Sequence, residues 1–124
     1  MGYKRLCDSD QRLMKLIWTH EPIPSGELAR RCMEEYGWKK STSYTVLRKL
    51  IDKGMAQNEN GIVSAAAKQE DVMEQESAAF IDRAFGGSLP GFLVSFLGSR
   101  RISRKDADEL RRLLDEYQAE GEEP

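Results

Sequence analysis

Along the first half of the chain, apolar residues recur three times at helical period and then give way to a short alternating stretch. The first run is Asp8-Ser9-Asp10-Gln11-Arg12-Leu13-Met14-Lys15-Leu16-Ile17-Trp18. Leu13, Leu16 and Ile17, joined by Met14 and Trp18, make a broad apolar stripe on a predicted helix. Asp8 and Gln11 have the spacing of a capping box. The helix is expected to stop before His20-Glu21-Pro22-Ile23-Pro24, since two prolines cannot continue the hydrogen-bond ladder. A second helix is predicted from about Ser25 to Tyr36, with Leu28, Ala29, Cys32 and Met33 as its buried side and Gly37 as a left-handed stop. The third run lies within Trp38–Gly54. There Ser43, Val46, Leu47, Leu50 and Ile51 follow the i, i+3, i+4, i+7 rule, and Gly54 closes the helix.

The opposite face of that third helix holds Ser41, Thr42, Tyr44, Thr45, Arg48 and Lys49, with no carboxylate until Asp52. Hydroxyls, a phenol and cations on one face can donate to phosphates and reach base edges in a major groove. An ordinary amphipathic surface helix has a polar face as well, so the context has to decide. Next in the chain is Met55–Ala65, where Asn60-Gly61 is the dipeptide of a type I′ hairpin turn, flanked by short extended runs. Three helices followed by a small hairpin predict a mainly α fold: a winged helix-turn-helix with the third helix as reader and the hairpin as wing. Gln57, Asn58, Glu59 and Asn60 give the wing no cation for phosphate. It is expected to be a structural prop or a minor contact.

From Lys68 the pattern changes. A charged amphipathic helix runs to Phe85 with Val72, Met73, Ala79, Phe80 and Ile81, and Gly86-Gly87 breaks it. Pro90 suits the first turn of a short helix carrying Phe92, Leu93, Val94, Phe96 and Leu97. Gly98-Ser99-Arg100-Arg101 reads as a basic loop. Ser103 is the expected N-cap of a last helix, with Asp106 three residues on. In it Ala107, Leu110, Leu114 and Tyr117 form a short heptad seam, with Leu113 beside them. Three such helices make a poor core alone. Yet Phe80, Phe85, Phe92, Phe96, Leu110, Leu114 and Tyr117 need cover. They either pack back on the first domain or pair with an identical segment, and the second solution predicts a homodimer. The expected organisation is a winged-helix domain over residues 1–67, a helical dimerisation region over 68–118 and a frayed tail over 119–124.

Charge sharpens this division. The 124-residue chain has a net charge of −2, which by itself argues against a nucleic-acid binder. Residues 1–60, however, hold 11 Lys and Arg against 8 Asp and Glu, a balance of +3, and residues 61–124 hold 8 against 13, a balance of −5. Lys39, Lys40, Arg48, Lys49 and Lys53 cluster around the third helix, so the basic half is the one with the predicted reader.

Catalytic chemistry finds little support. His20, the single histidine, stands in a loop beside Glu21-Pro22. Cys7 and Cys32 are isolated and have no metal-ligand spacing. Gly86-Gly87 lacks the Lys-Ser or Lys-Thr of a phosphate loop. No cofactor, metal or catalytic residue is expected. Cys32 reads as helix packing and Cys7 as a terminal thiol, with a redox pair as the sharper alternative. No apolar run is long enough to span a membrane, and Met1-Gly2-Tyr3-Lys4-Arg5 lacks the apolar core of a signal peptide. A cytoplasmic protein with reduced thiols and no membrane insertion is expected.

Three segments carry a family resemblance: Ser9-Asp10…Leu13-Met14…Ile17-Trp18, then Trp38…Ser41-Thr42-Ser43-Tyr44-Thr45-Val46-Leu47-Arg48-Lys49-Leu50…Lys53-Gly54, then Phe85-Gly86-Gly87-Ser88-Leu89-Pro90. In this order and spacing, from about residue 8 to 117, the chain resembles the penicillinase-repressor family, the BlaI/MecI/CopY group of bacterial transcriptional repressors. The resemblance implies a winged-helix homodimer that binds a short palindromic double-stranded DNA operator and blocks transcription. Family DNA contacts would fall on Ser41, Thr42, Tyr44, Thr45 and Arg48, with Lys49 and Lys53 near phosphates. Lys39 and Lys40 replace the usual Ser-Pro at the start of the reader, which removes a cap and adds a phosphate-facing pair.

In antibiotic-responsive members, a membrane-bound zinc metalloprotease sensor triggers cleavage of the repressor. The matching bond here would lie near Ser95-Phe96, although those members usually carry Asn where this chain has Ser95. The other reading of the segment is that Val94 and Phe96 are dimer core. The paired Cys-x-Cys metal motif of the copper-responsive branch has no counterpart between Ser99 and Pro124. The rival from another class is a protein-interaction adaptor, a winged helix that binds a protein and not DNA. The cation-free wing and the negative net charge favour that rival, and the carboxylate-free reader face opposes it.

Overall fold

A computed structural model describes residues 6–118. The element order is α1 (Asp8–His20), β1 (Ile23–Pro24), α2 (Ser25–Tyr36), α3 (Lys40–Asp52), β2 (Ala56–Glu59), β3 (Ile62–Ala65), α4 (Gln69–Phe85), α5 (Leu89–Phe96) and α6 (Arg104–Tyr117). Two compact units result, one ending at Phe80 and the other beginning at Ile81, so the division falls inside α4. The expected frayed tail over 119–124 lies outside the described residues.

In the first unit, α1, α2 and α3 converge on one core. Leu13, Met14 and Ile17 of α1, Leu28 and Cys32 of α2, Val46, Leu47 and Leu50 of α3, and Val63 of β3 are all buried, and Val72 of α4 joins them. Each such side chain contributes about 1.5–3 kcal/mol by leaving water, so this cluster fixes how α3 is held. Two predicted core positions are corrected. Met33 is 54% exposed and Ile51 37% exposed. Both sit one residue beyond the buried pair of their helix, Leu28/Cys32 on α2 and Leu47/Leu50 on α3, which turns them to the rim of the apolar stripe.

The start of α1 also differs from expectation. Its N-cap is Cys7, not Asp8, and the Cys7 N–H donates to the Asp10 carboxylate at 3.3 Å. The predicted partner Gln11 instead donates from Nε2 to the Leu6 carbonyl and to Glu76, each at 3.2 Å. At its other end α1 includes His20, and the Glu21 N–H reaches back to the Ile17 carbonyl at 2.8 Å. α2 runs as expected, and Gly37 takes the left-handed conformation at φ 71°.

The hairpin forms with Asn60 at φ 55° and Gly61 at φ 84°, both positive as a type I′ turn requires. A third strand, without a local sequence pattern of its own, joins the hairpin. Ile23 and Pro24 pair antiparallel with Val63 and Ile62, giving the sheet order β1-β3-β2. Proline is tolerated there because β1 is an edge strand. Trp18 secures the exit from the sheet by donating Nε1–H to the Ala67 carbonyl at 3.0 Å.

In the second unit, Ser88 caps α5 by accepting from the Gly91 N–H at 2.9 Å, and Pro90 lies in the first turn. Ser103 caps α6 by accepting from the Asp106 N–H at 3.0 Å, as its spacing predicts. Phe85 meets Phe92 edge-on at 5.5 Å, and Phe92 lies 5.8 Å from Phe96. Even so, no residue of α5 or α6 is fully buried.

Candidate nucleic-acid interface

α3 is positioned by its inward row, Ser43, Val46, Leu47 and Leu50. The remaining positions are therefore turned outward. Ser41, Thr42, Thr45, Arg48 and Lys49 are exposed, and Tyr44 is half-buried, with its ring against the edge of the core. The Thr45 hydroxyl donates to the Ser41 carbonyl at 2.9 Å. Its hydrogen is thus spent on the helix, which leaves its methyl and oxygen lone pairs for a partner. Arg48 has no carboxylate partner among the described residues. Arg12, Arg30 and Arg31 elsewhere in the first unit do, at 3.2 Å from Asp8, 2.7 Å from Glu34 and 3.4 Å from Glu27.

The start of α3 adds to this positive face. Lys39 is the N-cap in extended conformation, no side chain caps the first-turn amides, and no acidic residue lies in the first turn. Uncapped N–H groups at the positive end of the helix dipole, beside two lysines, favour an anion. The Lys40 ammonium also lies 5.9 Å from the Tyr44 ring centroid. The N-terminal turn and the outward face therefore form one continuous donor surface from Lys39 to Lys49.

Lys53 stands apart from this surface. Its ammonium lies 2.5 Å from Asp10 Oδ2, with the Lys53 side chain 26% exposed and that of Asp10 1% exposed. A charge held this way is committed to the fold rather than offered to a phosphate. Burial pushes the Asp10 carboxyl upward, but hydrogen bonds from Lys53 and from the Cys7 N–H and thiol, with the Lys53 charge, outweigh it, and the net shift is below the ordinary value. Asp10 is the functional-looking residue that periodicity alone passes over, yet a signal is present. It falls in register with Leu13, Met14 and Ile17, so the apolar stripe carries a carboxylate that must find a cation.

Behind α3, burial raises the Cys32 thiol, opposed by the Ser43 hydroxyl, which fits a packing role for both. The wing residues Gln57, Asn58, Glu59 and Asn60 are exposed, and Gln57 donates to Ser64 across the hairpin at 3.1 Å. In the second unit, Ser95 and Phe96 occur at the end of α5, both exposed. Among the described residues, no group of three or more His, Cys, Asp or Glu side chains is arranged to hold a metal ion. No helix of the described residues is long and apolar enough to cross a membrane.

A family model described as penicillinase repressor matches residues 6–116. Over 117 residues the chain is 26% identical to the penicillinase repressor of Bacillus licheniformis, covering 91% of each chain. Over 113 residues it is 20% identical to the methicillin resistance regulatory protein MecI of Staphylococcus aureus strain N315, covering 88% of this chain and 92% of that one. Among solved structures, the DNA-binding domain of the repressor BlaI superposes with a TM-score of 0.50 at 25% identity, covering 57% of this chain and 93% of that domain. The three-helix core, the wing with its extra strand and a family match over nearly all the described residues agree: the chain is a winged-helix protein and belongs to the penicillinase repressor family.

Proposed function

We propose that this protein is a DNA-binding transcriptional repressor that reads a palindromic operator as a homodimer. The carrying observation is the polar, cationic surface of α3, in which Ser41, Thr42, Thr45, Arg48 and Lys49 face outward with no carboxylate among them. Relatives named as repressors, and a superposable domain named for DNA binding, support the same reading. Lys39, Lys40 and the open first turn engage phosphates, and so does Lys49. Arg48 reads a guanine edge or clamps a phosphate, and Thr45 offers its methyl to thymine. Lys53 serves by holding α3 to α1.

The homodimer reading rests on what the second unit leaves uncovered. Phe92, Leu93, Phe96, Leu97, Leu110 and Leu113 line a groove of about 410 Å³, and Leu114 and Tyr117 extend the α6 seam at 56% and 79% exposure. A matching segment from a second copy covers these positions and brings two readers to one two-fold operator. Cleavage at Ser95-Phe96 by a membrane metalloprotease sensor system would cut inside that apolar set and weaken the pairing. A footprint on the DNA upstream of the gene tests the reading. Two protected half-sites related by a dyad, one helical turn or a multiple apart, are expected. A single or sequence-independent protection would contradict the dimeric reader, and the adaptor reading predicts no protection.

A further inference from the structure

The described arginines divide by what they face. Arg12, Arg30, Arg31, Arg111 and Arg112 each lie against a carboxylate, at 3.2, 2.7, 3.4, 3.0 and 2.5 Å. Among the described residues, Arg48, on the reader, has none, and neither do Arg101 and Arg104. Those two belong to Arg100-Arg101-Ile102-Ser103-Arg104-Lys105, where four cations fall in six residues without a carboxylate. The run interrupts a half of the chain in which acids otherwise prevail, and all four cations are exposed. Arg100 has a local role: its guanidinium donates to the Phe96 carbonyl at 2.7 Å and lies 4.8 Å from the Phe96 ring centroid, closing the end of α5. Arg101 reaches just its neighbour's carbonyl, at 3.4 Å.

Ion pairing among the described residues supplies no reason for the others. Arg104 and Lys105 open α6, where the helix dipole disfavours cations. α1, α2 and α4 carry Asp8 and Asp10, Glu27, and Glu70 and Asp71 in first turns that hold no cation, whereas in α6 Asp106 follows two of them. α3 is the other described helix that begins on adjacent cations, Lys39 and Lys40, and there the cations belong to the DNA-facing surface. Positive charge set against the helix dipole, and without an ion pair among the described residues, fits a polyanionic partner. Guanidinium forks match phosphate oxygens in pairs.

We infer that Arg101, Arg104 and Lys105 make a second contact with the DNA backbone, carried by the second unit and distinct from the α3 reader. This rests on the repressor reading for its partner. The test is a triple variant, Arg101→Gln, Arg104→Gln and Lys105→Gln, whose DNA affinity is measured against salt on the upstream fragment and on an unrelated duplex. The slope of log K against log salt is expected to shrink by about 0.9 for each phosphate that is no longer neutralised. The weakening should be alike on both duplexes, because phosphates carry no sequence. The melting temperature should hold or rise, and the assembly state should not change.

A folded variant with the wild-type slope overturns the contact and leaves a protein or lipid anion as the partner of the patch. Arg101→Gln alone, outside α6, repeats the test if the triple change disturbs that helix; a smaller slope supports the contact and an unchanged one overturns it. Failure of the repressor reading looks different: the wild type would not prefer the upstream fragment, while the slope on unrelated duplex still decides for or against the backbone contact.

Discussion

Arg48 and Lys53 lie five positions apart in sequence and have opposite fates. Arg48 points outward without a carboxylate partner among the described residues, whereas Lys53 is spent on Asp10. Substituting Arg48→Ala should therefore weaken operator binding by about 1–3 kcal/mol, with thermal stability and assembly unchanged; titration on operator variants checks it, relaxed preference at one base position marking a guanine contact and uniform weakening a phosphate contact. Lys53→Met should act through the fold. It strands a buried carboxylate and should cost about 3 kcal/mol of unfolding free energy, read by denaturant titration.

Asp10 adds a pH signature. Its folded pKa is below the ordinary value of 3.8, so the folded state binds fewer protons than the unfolded state between those two values. The stabilisation is present at neutral pH and is lost as pH falls from about 4 through the folded pKa. Asp10→Asn should be less stable than wild type at pH 7, and the two stability curves should converge in acid. Lys53 illustrates a limit of reading sequence. A lysine after a reader helix has the same pattern whether it serves a phosphate or a carboxylate, and the choice is made by a residue 43 positions away.

At the scale of elements, what is repeated locally was legible and what is paired at a distance was not. Gly37, Asn60-Gly61, Ser103 and the period of α3 carry their structural consequence within a few residues. β1 does not, because two residues ending in proline become a strand through pairing with β3. The capping of α1 also shifted by one residue, since Asp10 answers both to the Cys7 amide and to Lys53. The outward row of α3 was readable because the inward row is so regular, and Ile51 strayed because a stripe's rim depends on how close the neighbouring helix comes. For α6, Ser103→Ala should remove the bond to the Asp106 amide and cost about 1 kcal/mol. The effect should appear as lower helicity by circular dichroism.

At the scale of the molecule, one unit buries its helices around a common core and the other leaves α5 and α6 without a fully buried residue. That contrast is the physical case for a second copy. Leu114→Asp places a charge in the seam and should shift sedimentation from dimer to monomer while the first unit keeps its fold. Operator binding should then weaken steeply, since each reader would bind its half-site alone. The central claim is that α3, doubled by pairing, reads one operator. A DNA mobility shift in moderate salt, with the purified protein and the fragment upstream of its own gene, tests it most directly. The account predicts a discrete shifted band that survives excess unrelated DNA and disappears with Arg48→Ala. No band at dimer-forming concentrations, or a band that unrelated DNA abolishes, would contradict it.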